Sequence, residues 1–250
     1  HFEEMNVPCF TVGSWYDFMN IGSIESFIGR QHLGDKNSRG KQQMIIGPWP
    51  HDTLNKRHTV GELTYPENGA FDLNGHMVRW FDYHLKGKEN GVLTDPVVKY
   101  YVMGATGETA APGNVWRTAD DWPVAATSTS YYLETEGKLG LDKPTSAEGV
   151  VEFQMDPLHP SEIPGRAFPG ATDARKFESQ PDVRTFTTEV LEEAVEWTGK
   201  VQGEIYLASD VKDTDLIVRV SDVYPDGRSI LIIDFPMRVR YREGFDREVL

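Results

Sequence analysis

Cysteine is almost absent from this chain of 250 residues: Cys9 stands alone. One thiol excludes an internal disulfide and leaves no thiolate cluster for zinc. Long apolar runs are missing as well. The longest, such as Ile230–Ile233, are strand-sized and far short of the roughly 18 residues a membrane helix needs, so no membrane partner is expected. Positive charge is scarce. Lys and Arg number 25 against 39 Asp and Glu, a formal net charge of −14. An anionic surface of that size repels phosphate backbones, which argues against nucleic acid as a partner. A Gly-x-Ser-x-Gly nucleophile turn is found nowhere in the chain.

What remains is ordinary globular material, 39% hydrophobic and 26% charged, enough for a real core. The apolar run Val7–Val12 reads as a buried strand ending at Gly13. Asn20 is placed to cap a helix from about Ile21 to Leu33, with Ile21, Ile24, Phe27 and Ile28 on one face and Gly34 as a left-handed stop. Gln43–Ile46 is the next strand, closed by Gly47-Pro48. Strand, helix, strand in about 40 residues is a βαβ crossover and implies parallel pairing. A His-, Gly- and Pro-rich loop covers roughly His51 to Ala70. Phe71–Lys86 then reads as an amphipathic helix with Phe71, Val78, Phe81 and Leu85 inward, stopped by Gly87.

Beyond Gly91 helix signals nearly vanish. Val97–Met103, Tyr131–Leu133, Val150–Met155, Thr185–Val190, Val201–Ser209, Leu216–Tyr224 and Ser229–Phe235 are strand candidates, with a turn at Tyr224–Arg228. The expected organisation is therefore an α/β portion over residues 1–92 and an all-β portion of sandwich or jelly-roll type over 93–250. The abrupt opening at His1 and the uncapped end at Leu250 suggest an internal piece of a longer polypeptide.

Ligands of parallel sheets meet the loops at the carboxyl ends of strands. Two such loops are visible, Gly13-Ser14-Trp15-Tyr16-Asp17 and Gly47-Pro48-Trp49-Pro50-His51. If the two strands are neighbours, Asp17 and His51 emerge on one rim. A carboxylate that orients an imidazole is two thirds of a nucleophilic triad. In the order Ser, Asp, His, the serine would lie upstream of His1. Trp15, Tyr16 and Trp49 flank the pair, either as walls of an acyl site or as packing at the sheet rim.

The wording of these motifs resembles the CocE/NonD hydrolases, the group that includes cocaine esterase, α-amino-acid ester hydrolases and X-Pro dipeptidyl-peptidases. Val7–Asp17, Ile46–His51 and Trp80–Gly87 carry the resemblance, and Val102–Gly104, Asp121–Pro123, Asp222–Arg228 and Arg240–Arg242 extend it over nearly the whole chain. The resemblance implies a serine esterase or amidase acting on a small-molecule ester or amide, with an α/β-hydrolase catalytic domain and a jelly roll that continues past Leu250. Asp17 matches the triad acid and His51 the triad base. The serine, the oxyanion tyrosine and a helical cap would belong to an upstream N-terminal half. The α-amino-acid ester hydrolases of the group place acids two and three residues after the triad Asp, to grip a substrate ammonium. Met19 and Asn20 stand there instead, which favours an acyl group without an ammonium and makes Met19 a candidate lining residue.

The other polar candidates are weaker. His58, His76, Asp72 and Glu62 lack metal-ligand spacing, His84 suits a helix C-terminus, and Asp210, Asp213 and Asp215 read as a turn. No metal or other cofactor is therefore expected. Neither the compartment nor the oligomeric state is set by the sequence, and a homo-oligomer is compatible with it. The competing function is a non-catalytic jelly-roll module that binds carbohydrate, which would have no use for the Asp17 and His51 motifs.

Overall fold

The structure, a computed structural model, describes residues 1–51, 58–108, 111–145, 149–162 and 171–250. The chain divides into a larger compact unit, built mainly on His1–Val151 with Phe186–Gly199, and a smaller one, built mainly on Ala171–Thr185 and Lys200–Leu250.

The larger unit is organised by a four-stranded sheet. In chain order come β1 (Phe10–Tyr16), α1 (Asn20–Leu33), β2 (Gln43–Pro50), the two-residue strands β3 (Thr59–Val60) and β4 (Leu63–Thr64), α2 (Leu73–Lys86), β5 (Val98–Val102) and β6 (Val115–Ala119). The sheet order is β1-β2-β5-β6; β1, β2 and β5 are parallel and β6 is antiparallel to β5. The expected βαβ crossover is thus present, and the sheet runs on past residue 92 through β5 and β6. Short strands β7 (Tyr132–Leu133) and β8 (Leu139–Gly140) pair with each other.

Side-chain alternation along β2 explains the two-sided core. All eight β2 residues are buried, as in a parallel strand covered on both faces. Met44 and Ile46 join Phe27 of α1 with Val98, Tyr100 and Trp122 on one face. Ile45 and Trp49 join Leu73 of α2 on the other, with Phe10, Phe71, Met77 and Trp116 packed around them. Each such side chain stabilises by about 1.5–3 kcal/mol.

Several boundaries differ from those expected. Strand β1 begins at Phe10 and runs through Tyr16, and β2 runs on to Pro50, so most of the two anticipated rim loops is strand. Gly and Pro signalled breaks there, but pairing of the two strands carries the ladder through them. Asn20 opens α1 without capping it. The cap position is Met19, whose N–H is met by the Asp17 carboxylate. Gly34 is not left-handed (φ −57°); it is required because a Cβ would come within 2.4 Å of the Arg30 carbonyl oxygen. Ile21 is exposed, and only Phe27 of the expected α1 face is fully buried.

Helix α2 keeps its expected stop, Gly87 at φ 63°, but starts two residues later than expected, at Leu73, where the Asp72 side chain caps it by accepting from the Gly75 N–H. Its face is rotated from the one expected. Leu73, Met77 and Trp80 turn inward, while Val78, Phe81 and Leu85 are exposed. The helix carries two adjacent apolar stripes, and periodicity alone does not say which faces the sheet.

The smaller unit holds α3 (Arg175–Glu178) and a long antiparallel hairpin of β9 (Asp215–Val223) and β10 (Ser229–Arg238). Its turn is the one expected at Tyr224–Arg228, with Gly227 at φ 85° and its N–H on the Tyr224 carbonyl. No strand forms at Val150–Met155, Thr185–Val190 or Val201–Ser209, apart from an isolated bridge at Thr187. Their alternation suits a strand, but among the described residues they find no ladder to join, and a strand needs a partner. A two-sheet sandwich is accordingly not assembled among the described residues.

Asp173 anchors the start of β10. Its carboxylate takes the Arg175 guanidinium and the Ser229 N–H, and the Arg175 hydrogen bond pulls its pKa down to about 2. A carboxyl depressed in the folded state adds stability that is present above its ordinary pKa and lost as pH falls through the folded value. Replacing Asp173 with Asn is expected to flatten the loss of stability between about pH 4 and pH 2, as read from urea midpoints across that range. An unchanged acid limb would contradict it.

Candidate active site

The ladder between β1 and β2 sets up the site. It runs in simple register from Phe10↔Gln43 to Ser14↔Gly47 and then slips, with Tyr16 opposite Pro50. Two residues of β1 therefore face three of β2, a bulge of one residue centred on Pro48-Trp49. Proline tolerates such a place because it has no ladder N–H to lose. Gly47 is needed for a different reason. The Trp49 indole folds back over it, and a Cβ there would lie 2.4 Å from the ring. The indole is wholly buried and its Nε1–H donates to the Gly69 carbonyl at 2.7 Å. On the facing strand the Ser14 hydroxyl, also wholly buried, donates to the Trp49 carbonyl.

These contacts deliver Asp17 and His51 to the same end of neighbouring strands. His51 Nδ1 lies 3.0 Å from Asp17 Oδ2. The other carboxylate oxygen accepts the Met19 N–H at 2.8 Å, at the head of α1, where a negative charge is favoured. Asp17 is held by its backbone too, donating to the Ser14 carbonyl and accepting from the Asn20 N–H. Its side chain is 10% exposed, against 43% for His51. The carboxylate is thus fixed and shielded while the imidazole reaches solvent. With Nδ1 turned to the carboxylate, Nε2 is the nitrogen left to exchange a proton with an incoming group, as a general base requires.

The flanking residues divide. Trp49 is buried beneath the bulge and does not line the site. Trp15 is likewise a packing residue: it lies against Trp122, and its Nε1–H donates to the Tyr101 carbonyl at 2.6 Å. Both point away from the rim because successive strand residues alternate faces, a geometry hidden when these segments are read as loops. Tyr16 is half-buried and its hydroxyl meets that of Tyr65. Met19 is exposed next to Asp17. Two residues escaped the sequence reading. Phe18 is 64% exposed, with its ring centroid 4.9 Å from that of His51. Ser14 is the other; its place in the Gly13–Asp17 segment, read as a loop, gave no sign of a buried strand hydroxyl.

Of the weaker candidates, His76, Asp72, His84, Asp213 and Asp215 make contacts within the fold. His76 sits between the Phe10 and Phe71 rings, 3.6 Å from Asp95, and burial pushes its pKa down. Asp72 caps α2. His84 packs on Trp80, and burial lowers its pKa. Asp213 and Asp215 pair with Arg240 and Arg238. His58 and Glu62 join no metal-ligand group, and none exists among the described residues.

Residues 90–248 match the family model described as the X-Pro dipeptidyl-peptidase C-terminal non-catalytic domain. Cocaine esterase of Rhodococcus sp. (strain MB1 Bresler) is 30% identical over 255 residues, covering 94% of this chain and 42% of the esterase. An aminopeptidase from a marine sediment Thaumarchaeota archaeon shares the fold with a TM-score of 0.75 at 24% identity, over 98% of this chain and 42% of that one. An α-amino acid ester hydrolase does so with a TM-score of 0.72, also at 24% identity, over 98% and 43%. The chain belongs to the CocE/NonD hydrolases, and it spans 42% of the length of the cocaine esterase it matches. Asp17 and His51 both precede the region matched by the non-catalytic model.

Substituting Gly47 with Ala forces a methyl against an indole that is buried and hydrogen-bonded. The expected cost is about 1–3 kcal/mol, read as a lowered urea midpoint. A midpoint equal to that of the parent would show that Trp49 has room to move.

Proposed function

We propose that this chain supplies the acid and base of a serine hydrolase that cleaves small ester or amide substrates. Asp17 orients His51 through Nδ1, and His51 Nε2 takes the proton of a serine lying outside these 250 residues. In the first step the serine oxygen bonds to the acyl carbon as its proton passes to His51. That proton then goes to the departing alcohol or amine. In the second, His51 takes a proton from water as its oxygen bonds to the acyl carbon, and returns that proton to the serine oxygen as the acyl–serine bond breaks and the acid leaves. No cofactor enters either step. The observation that carries this reading is the contact of 3.0 Å between His51 Nδ1 and Asp17 Oδ2 at the carboxyl ends of adjacent parallel strands. Ser14 is not the nucleophile, since it is buried and its hydroxyl is engaged.

The same reading gives residues 1–92 to the C-terminal part of an α/β-hydrolase domain. Support comes from parallel strands with α1 on one face and α2 on the other. Residues 93–250 fit a jelly-roll domain, supported by the family match from residue 90 and by the β9–β10 hairpin. The exposed stripe Val78, Phe81 and Leu85 fits burial against an upstream N-terminal half that also holds the serine. Phe18 beside His51 and the exposed Met19 next to Asp17 are apolar, which suits an uncharged acyl or leaving group over an ammonium.

In the whole gene product, Asp17→Asn and His51→Ala are each expected to lower turnover of p-nitrophenyl esters by about 10³-fold or more, because the triad acts as a unit. Parental activity in either variant removes that residue from the mechanism.

A further inference from the structure

Ser14 has no evident reason to be polar. It lies inside β1, fully buried, opposite Gly47 in the ladder. A hydroxyl taken out of water costs free energy unless it is hydrogen-bonded, and alanine would fill the same space without that cost. The hydroxyl has one visible use: it donates to the carbonyl of Trp49, the residue at which β2 slips out of register.

The chain between that carbonyl and the imidazole is short and stiff. The Trp49–Pro50 peptide is planar, and the Pro50 ring fixes φ near −65°. Only Pro50 ψ and the torsions of His51 itself separate the anchored carbonyl from the imidazole. Pro50 is also held opposite Tyr16, the neighbour of Asp17. One strand therefore grips the other twice, at Ser14 and at Tyr16, on either side of the slip. The carboxylate and the imidazole are the next residues on.

We infer that Ser14 is a positioning residue: its buried hydroxyl, by anchoring the Trp49 carbonyl, fixes the place of the His51 imidazole against Asp17. The inference rests on the proposed hydrolase function and adds to it a residue that touches neither substrate nor the reacting atoms. A misplacement of about 1 Å at a catalytic group can cost on the order of 10²-fold in rate, so a relaxed bulge is expected to act on turnover and to spare substrate binding.

The test uses the whole gene product with p-nitrophenyl acetate, comparing Ser14→Ala, Ser14→Gly and His51→Ala. Both Ser14 variants remove the hydroxyl and add no atom, so glycine replaces alanine should the alanine variant not fold. The expected result is a kcat lowered by about 10- to 100-fold with KM changed by less than about twofold. The low-field proton resonance of the His51 Nδ1–H, identified by its loss in His51→Ala, is expected to broaden or shift. A residue that only supports the fold would lower thermal stability and leave kcat and that resonance alone. Parental kcat and an unmoved resonance in the Ser14 variants, with His51→Ala inactive, overturn the positioning role and leave the hydrolase reading standing. Parental activity in His51→Ala overturns both.

Discussion

The parallel pairing of β1 with β2, and its slip at Trp49, is the constraint on which the site depends. Parallel strands point their carboxyl ends the same way, so residues that come after them meet on one rim. Regular pairing alone would not finish the task, because the residues after Ser14 and Gly47 must advance by different numbers to bring Asp17 to His51. The extra residue in β2 makes up that difference. Gly47, the Trp49 indole and two prolines are the means by which the slip is accommodated. Their chemistry explains the Gly-Pro-Trp-Pro-His string as structure as much as function.

The division of labour along the chain comes from the same geometry. Asp17 and His51, to which we assign the proton transfer, lie at the β1 and β2 ends, before residue 90. The region matched to a non-catalytic domain supplies β5 and β6, which complete the sheet on its far side. Trp116 of β6 packs beside Trp49 and Phe71, and Trp122 closes the opposite face over Tyr100. The later part of the chain thereby buttresses the strands that position the site.

Much of this was legible in the sequence. The βαβ order, the Gly87 stop of α2, the Tyr224–Arg228 turn and the Asp17–His51 pair can be read from apolar runs, glycine stops and strand-end spacing. Other features were hidden because they depend on partners. Trp15 and Trp49 read equally as walls of the site or as packing at the sheet rim; the strands run through them and turn them into the two cores. On α2 the stripe read as inward, Val78, Phe81 and Leu85, is exposed, because the helix carries a second apolar stripe, Leu73, Met77 and Trp80, that meets the sheet instead. Val150–Met155 and Val201–Ser209 have strand-like alternation, but a ladder is a property of pairs, and one segment does not carry it. Ser14 was the hardest to see, since its role lies in a bulge on another strand.

The central claim is that Asp17 and His51 serve a serine outside these 250 residues. Labelling the whole gene product with a serine-directed fluorophosphonate, followed by peptide mapping, tests it most directly. One modified serine is expected, located outside this chain, with labelling abolished in His51→Ala. A modified serine within residues 1–250, or labelling that survives the loss of His51, would contradict it.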